Sequence, residues 1–291
     1  MGFLRRSPGE LVFEVFNTVL IGFISLVCIY PMLHVLLASF SEPLRIMNHQ
    51  GPLLRPLGFS LEGYRVVFNT PSLFTGYRNT IFYVVIGSSL NMVMTTLGAY
   101  TLAQRDFLPK KFCMLFIVFT MYFTGGIIPN FLLVRNLGML NTRWALIIPG
   151  AIGTWNMLVL RTAFLAVPRA MEDAARIDGA NDLVILIRIM VPVSRATMAV
   201  VLLFYAVGHW NAWFNAMIYL PRARDLYPLQ LFLREILISN SEVSGADTSI
   251  DFVGELVKYS TTIVSTVPIL CLYPFLQRYF VKGVMMGSVK E

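Results

Sequence analysis

The residues best suited to chemistry in this chain lie in the string Met171-Glu-Asp-Ala-Ala-Arg-Ile-Asp-Gly-Ala180. Glu172, Asp173 and Asp178 offer carboxylates, Ala174, Ala175 and Ala180 leave smooth ground for close approach, and Gly179 allows a turn. Such a set suits ion pairing and tight packing across an interface with a soluble partner. A second set suits polyhydroxylated ligands, which need amide hydrogen bonds and aromatic platforms. It comprises Trp210, Asn211, Trp213 and Asn215 with His209 beside them, plus Asn91, Asn130 and the Trp155-Asn156 pair. The same amides can equally tie helices together, and the same tryptophans can sit in an interfacial belt.

Neither catalysis nor metal binding is indicated. His34, His49 and His209 are scattered, with no His-x-x-x-His or Glu at ligand spacing, and Ser88-Ser89 has no evident base. Cys28, Cys113 and Cys271 all sit in apolar runs, with no metal-like neighbour. We therefore expect no catalytic residue, no metal site and no cofactor bound by this chain. The phosphate cradle Gly-x-x-x-x-Gly-Lys-Ser/Thr is also missing, since Lys282-Gly283 has the residues in the wrong order. Any work the chain performs must draw on a partner or an ion gradient.

The elements that position these residues are apolar. The chain is 56% hydrophobic and 13% charged, with a mean hydropathy of +0.68, whereas a soluble domain carries roughly 25% charged residues. The net charge of +7 does not imply nucleic acid, because Lys and Arg collect in the cytoplasmic loops of membrane proteins. A membrane span needs about twenty mostly apolar residues. Six stretches qualify, at about 11–40, 80–103, 112–134, 144–164, 196–220 and 261–281. Arg5 and Arg6 precede the first, but its run is too long for a cleaved signal, and Glu14 and Asn17 interrupt its start. Gly125-Gly126 and Pro129 are expected to break the third span.

Charge placement orients the bundle. Arg105, Lys110 and Lys111 crowd the link between spans two and three. Arg169, Arg176, Arg188 and Arg195 lie between four and five, and Arg278, Lys282 and Lys290 lie at or beyond the end of six. An even span number places these and both termini on one side, which should be the cytoplasm. The opposite side carries Arg45, Arg55, Arg65, Arg222 and Arg224, diluted over external loops at about 41–79 and 221–260. The polar stretch 240–258 is too short for a core of its own, so a single transmembrane domain over 1–291 is expected.

The charged string then falls in a cytoplasmic loop at about 165–195. Pro168 suits a helix start, and Glu172 and Asp173 lie near the first turn, where the helix dipole favours anions. Asp178-Gly179 signals a turn, and Asn181 or Asp182 can cap a second helix. Leu183, Leu186, Ile187 and Met190 give that helix an apolar face, and Val191-Pro192 ends it.

Glu-Asp-Ala-Ala-Arg-Ile-Asp-Gly-Ala, with Ile189-Met-Val-Pro192 after it, resembles the "EAA" loop of bacterial ATP-binding-cassette (ABC) importer permeases. That pattern is Glu-Ala-Ala, a glycine after a short spacer, and Ile-x-Leu-Pro further on. Four other strings are similar to the maltose-type carbohydrate permeases of the complex-polysaccharide subgroup, which includes alginate-oligosaccharide importers. They are Met121-Tyr-Phe-Thr-Gly-Gly-Ile-Ile-Pro129, Asn141-Thr-Arg-Trp-Ala-Leu-Ile-Ile-Pro149, Phe204-Tyr-Ala-Val-Gly-His-Trp-Asn-Ala-Trp-Phe-Asn215 and Arg278-Tyr-Phe-Val-Lys-Gly-Val-Met-Met-Gly287. Two departures stand out: Asp173 occupies the place of the family's glutamate, with Glu172 before it, and Val191 that of the family's leucine.

The resemblance implies an all-α membrane protein with six transmembrane helices and a type I ABC importer permease fold. It implies a coupling loop, carried here by Glu172, Asp173, Ala174, Ala175, Asp178, Gly179 and Ala180, that docks on a cytoplasmic ATPase dimer holding ATP and Mg. It also implies a second homologous permease, an extracytoplasmic solute-binding protein, a carbohydrate substrate and residence in the bacterial inner membrane. On this reading Ala175→Arg should abolish ATPase association without preventing insertion. In that family one of the two permeases can hold most substrate contacts. Arg222 and Arg224 would face the binding protein's acids or an acidic sugar.

The rival is a gradient-driven transporter or channel subunit. Proton-coupled carriers bury ionisable residues in their spans, although one charge at midspan costs roughly 2.5–3.5 kcal/mol on insertion scales. These spans are nearly free of internal charge, with Glu14 close to a span end and Arg161 near the inner boundary. ATP-dependent against ion-dependent uptake separates the two classes.

Overall fold

The computed structural model describes residues 8–242, 254 and 256–271. Every regular element among the described residues is helical. The chain divides into two compact units, Met1–Thr70 with Ile236–Thr266 and Pro71–Glu235 with Val267–Glu291.

In the first unit, α1 (Pro8–Ser39) exposes apolar side chains all round, from Leu11 to Leu36. A helix apolar on every side belongs in lipid or among other membrane helices. Thr18 and Ser25 donate their hydroxyls to the carbonyls of Glu14 and Ile21, at 2.7 and 2.8 Å, so neither needs water. Two short helices follow, α2 (Pro43–Met47) and α3 (Glu62–Phe68). The loop between them is pinned back on α1 and on the turn just after it. Leu53 N donates to the Tyr30 hydroxyl at 3.0 Å, and Leu57 N to Ser41 Oγ at 3.1 Å.

The second unit opens with α4 (Pro71–Ala103), which starts on a proline and runs further out than the expected span. So residues 71–79, read from sequence as loop, are helical. α5 (Lys110–Tyr122) and α6 (Ile127–Asn136) meet at 114°, with the break at Gly125-Gly126 where the sequence placed it. α7 (Trp144–Ile147) and α8 (Thr154–Leu165) stand where one fourth span was expected. α9 (Arg169–Ile177) and α10 (Asp182–Val193) form the charged loop, α10 turning 87° into α11 (Arg195–Trp210). α12 (Phe214–Tyr219) and α13 (Leu229–Glu242) follow. The last described helix, α14 (Leu256–Cys271), belongs mostly to the first unit.

The described residues show fewer uninterrupted crossings than the six expected. α1 over Gly9–Ser39 and α4 are each long and apolar enough to cross a bilayer, and the two bent pairs raise the number to four if each crosses as one. The physical reason is local. The fourth span is interrupted at 148–153 and the fifth at 211–213. The sixth is expected to run to about 281, so its second half lies outside the described residues, as does most of the polar stretch 240–258.

The second unit is organised in three tiers along α4 and α11. These helices run antiparallel, since Asn91 meets His209, Thr95 meets Tyr205 and Thr96 meets Met198. One apolar cluster gathers Tyr83, Val134, Ile147, Tyr219, Leu220 and Leu231 at the end where α4 begins. Another gathers Ala99, Leu102, Leu160, Phe164, Ile185 and Met190 at the end where α4 stops. Polar side chains occupy the middle.

Candidate coupling surface and polar passage

The charged loop folds as its sequence dictates. Pro168 takes the N-cap position of α9 with extended backbone. At the other end Gly179 N bonds Arg176 O at 3.1 Å and Ala180 N bonds Ala175 O at 2.9 Å. These are the two bonds of a Schellman motif, which needs a left-handed residue between them; Gly179 supplies it with φ +81°. Asn181 then caps α10, its side-chain oxygen accepting from Val184 N at 2.9 Å. Asp182, the alternative cap, instead pairs with Arg176 at 2.6 Å. Burial works against the charged form of Arg176. Asp182, by charge and hydrogen bond, more than offsets this and holds the guanidinium above its usual range.

The seven loop residues singled out from sequence come together on one helix-and-turn, but they do not share a face. Ala175 and Ala180 are half-buried against the apolar cluster at the end of α4, and Glu172 is half-buried beside them. Asp173, Ala174, Asp178 and Gly179 are exposed. Met171 (42% exposed), Ala174 and Ile177 (86% exposed) form an apolar row at three-residue spacing on the outer face. Asp173 is therefore the carboxylate beside that row, and Glu172 the one that faces the protein. Of the two alanines in the triplet, Ala174 faces out and Ala175 is a packing residue.

The end of α4 is capped by cations that the sequence marked as link and boundary charges. Arg161 Nε donates to Leu102 O at 3.0 Å, and Lys110 Nζ to Gln104 O at 3.0 Å. Both satisfy last-turn carbonyls, where the helix dipole favours cations. Arg176 also reaches Gln104 Oε1 at 3.4 Å.

The polar passage residues divide differently. Asn91 is buried and fully engaged: its Nδ2 donates to Gly150 O at 2.5 Å, and its Oδ1 meets His209 Nε2 at 2.7 Å. Gly87 makes room for this pair, because a Cβ there would sit 2.5 Å from His209 Nε2. One turn inward, the Tyr205 hydroxyl meets Thr95 Oγ1 at 2.6 Å and accepts from Gly153 N at 2.9 Å. Sequence reasoning missed Thr95 and Tyr205. The available signal was the i,i+4 spacing of polar groups on two apolar spans, Asn91 with Thr95 and Tyr205 with His209. Trp210 is buried, edge-on to Tyr77 at 6.4 Å between centroids. Asn130, Asn211 and Asn215 are exposed, and Asn156 is half-buried. Trp213 is 36% exposed beneath the Arg234 guanidinium, whose carbon lies 4.6 Å from its ring centroid.

At the end where α4 begins a further set, also unforeseen, stitches α4 to the segment after α12. Asn79 Nδ2 donates to Asp225 O at 2.7 Å and Tyr227 O at 3.1 Å, while its Oδ1 accepts from Arg143 at 3.2 Å. Thr80 Oγ1 accepts from Leu229 N at 2.9 Å, and Tyr83 donates to Leu226 O at 2.8 Å. Among the described residues no group of three or more His, Cys, Asp or Glu is placed to hold a metal ion.

No family model matches the chain. It is 37% identical over 284 residues to the polygalacturonan/rhamnogalacturonan transport system permease protein YtcP of Bacillus subtilis, covering 95% of this chain and 99% of that protein. It is 35% identical to protein LplC of the same organism, covering 99% and 98%. Its fold superposes on a chain from the crystal structure of a bacterial ABC transporter involved in the import of the acidic polysaccharide alginate. That match has a TM-score of 0.87 and 30% identity, covering 95% of this chain and 99% of that one.

Proposed function

The chain belongs to the permease proteins of carbohydrate ABC importers, and we propose that it couples a partner's ATP hydrolysis to alternating access for an oligo- or polysaccharide. It forms the pathway with a second, homologous permease. A cytoplasmic ATPase dimer holds ATP and Mg, and an extracytoplasmic binding protein delivers substrate. The chain itself is not an ATPase. It resides in the bacterial inner membrane as one permease domain with six crossings, the interrupted helices α7–α8 and α11–α12 each completing one and the segment from α14 onward the last. Both termini and the α9–α10 loop face the cytoplasm, and the outer loops face the binding protein.

The observation that carries this reading is the two-sided build of α9. Ala175 and Ala180 fasten the loop to the core beneath α4, so the loop and the spans move together. Met171, Ala174 and Ile177 are left as an apolar row in water, flanked by Asp173 and Asp178. That surface suits an apolar cleft rimmed with cations. Of the passage residues, Asn91 serves as a helix tie because its partners are already in place. Asn130, Asn156, Asn211, Trp213 and Asn215 retain free polar or aromatic surface for substrate, and Trp210 packs behind them.

The test is co-purification of the assembled complex from detergent. Ala174→Arg should eliminate the ATPase from the preparation while the two permeases still purify together. ATPase retained at wild-type stoichiometry would overturn the assignment of this face.

A further inference from the structure

We propose that the outer end of the second unit reads carboxylates of an acidic oligosaccharide, through Arg234 seated over Trp213. The inference rests on the importer reading above and adds the chemical class of the substrate and the residue that recognises it.

Arginine is concentrated at this end. Arg78, Arg135, Arg143, Arg222, Arg224 and Arg234 lie on α4, α6–α7 and the α12–α13 segment, with only Asp225, Glu235 and Glu242 as acids and no lysine. Contacts hold these elements together: Arg143 to Asn79, Asn79 to the carbonyls of Asp225 and Tyr227, and Arg222 N to Asn141 Oδ1. Cations on membrane proteins otherwise gather on the cytoplasmic side, so this set runs against the topological bias. The absence of lysine points to shape as well as charge. A guanidinium offers a planar fork that matches a carboxylate bidentately, which an ammonium cannot do.

Most of this charge is uncommitted. Arg224 pairs with Glu235 at 2.7 Å. Among the described residues Arg78, Arg135, Arg222 and Arg234 have no carboxylate within ion-pair distance. Arg234 is the one built into a receptor. Its guanidinium lies on the Trp213 face, and its Nη1 sits 3.3 Å from Met217 Sδ. Trp213 is itself braced edge-on by Phe214 at 5.5 Å. Stacking of this kind fixes the plane of the guanidinium, so little freedom is lost when a carboxylate arrives at its edge. Arg143 repeats the device over Phe82 at 4.5 Å, and its buried Nε has no hydrogen-bond partner. Trp213 and exposed Asn211 occupy the break between α11 and α12, so the amide lies in the same short segment as the ring on which the Arg234 fork is seated. A neutral sugar would leave the fork unmatched; a uronate fills it.

The experiment uses the full complex in proteoliposomes and compares trigalacturonate, its methyl-esterified neutral form and maltotriose. The wild-type complex should take up trigalacturonate in an ATP-dependent manner, in preference to its ester. Arg234→Lys keeps the charge but loses the fork, and should lower that preference about tenfold. Complex assembly should stay unchanged. An Arg234→Lys complex with the wild-type preference would overturn the role of Arg234. ATP-dependent uptake that favours maltotriose or the ester would overturn the acidic class while leaving the importer reading intact. Uptake driven by an ion gradient without ATP would overturn both.

Discussion

Asn79, Thr80 and Tyr83, at the proposed outer end of α4, are buried, and each directs its side chain to the backbone of residues 225–229. At the proposed inner end, Glu172, Asp173 and Asp178 lie on or near the surface of α9, and none forms an ion pair with another described residue. The two ends therefore hold their loops by different physics. Outside, buried hydrogen bonds fix the segment before α13 whatever else is bound. Inside, apolar packing of Ala175 and Ala180 and the Gly179 turn fix the position of the loop, while its polar groups stay available. One end is finished by its own chain; the other leaves those carboxylates without ion-pair partners among the described residues.

Two substitutions test that contrast from opposite sides, and they carry the largest effects. Ala174→Arg adds bulk and charge to an exposed site, so thermal unfolding of the detergent-solubilised permease pair should be unchanged while ATPase binding is lost outright. Asn79→Leu does the reverse. It strands the carbonyls of Asp225 and Tyr227 and removes an acceptor from Arg143, which should destabilise by roughly 3 kcal/mol. ATPase co-purification should persist in whatever fraction remains folded. If Asn79→Leu left the unfolding temperature in place, the outer stitching would not be structural.

The same contrast explains what could be read from the residues beforehand. The inner loop was legible because local rules build it: a proline at the N-cap, a glycine at the left-handed position, an asparagine cap and an alanine pair. The break in the third span followed from Gly125-Gly126 in the same way. The outer end was opaque because its bonds join residues far apart in sequence, such as Asn79 to Tyr227 and Arg234 to Trp213. Only the register of α4 against α11 decides that Asn91 faces His209. Composition marked Asn91 as polar at membrane depth and could not say that its partners were already in the chain. Composition also could not divide Ala174 from Ala175. That division depends on which side of α9 rests on the end of α4.

Smaller effects sharpen the comparison at the inner end. Asn181→Ala removes the cap of α10 and should cost about 1 kcal/mol, read as a lower unfolding temperature with ATPase binding weakened because the loop is less well held. Arg176→Ala should do least to stability. Its pair with Asp182 is exposed, at 44% and 64% of the two side chains, and such pairs contribute roughly 0–1 kcal/mol. That contribution should also fade with salt, since the screening length falls to about 3 Å at 1 M. The Asn79 bonds at the other end are buried and neutral on the acceptor side, so the destabilisation of Asn79→Leu should be the same at low and high salt. Unfolding curves of both variants in two salt concentrations give the comparison directly. A salt-insensitive Arg176→Ala penalty as large as that of Asn79→Leu would mean that the inner loop, too, is locked by its own polar contacts, and that its surface is not waiting for a partner.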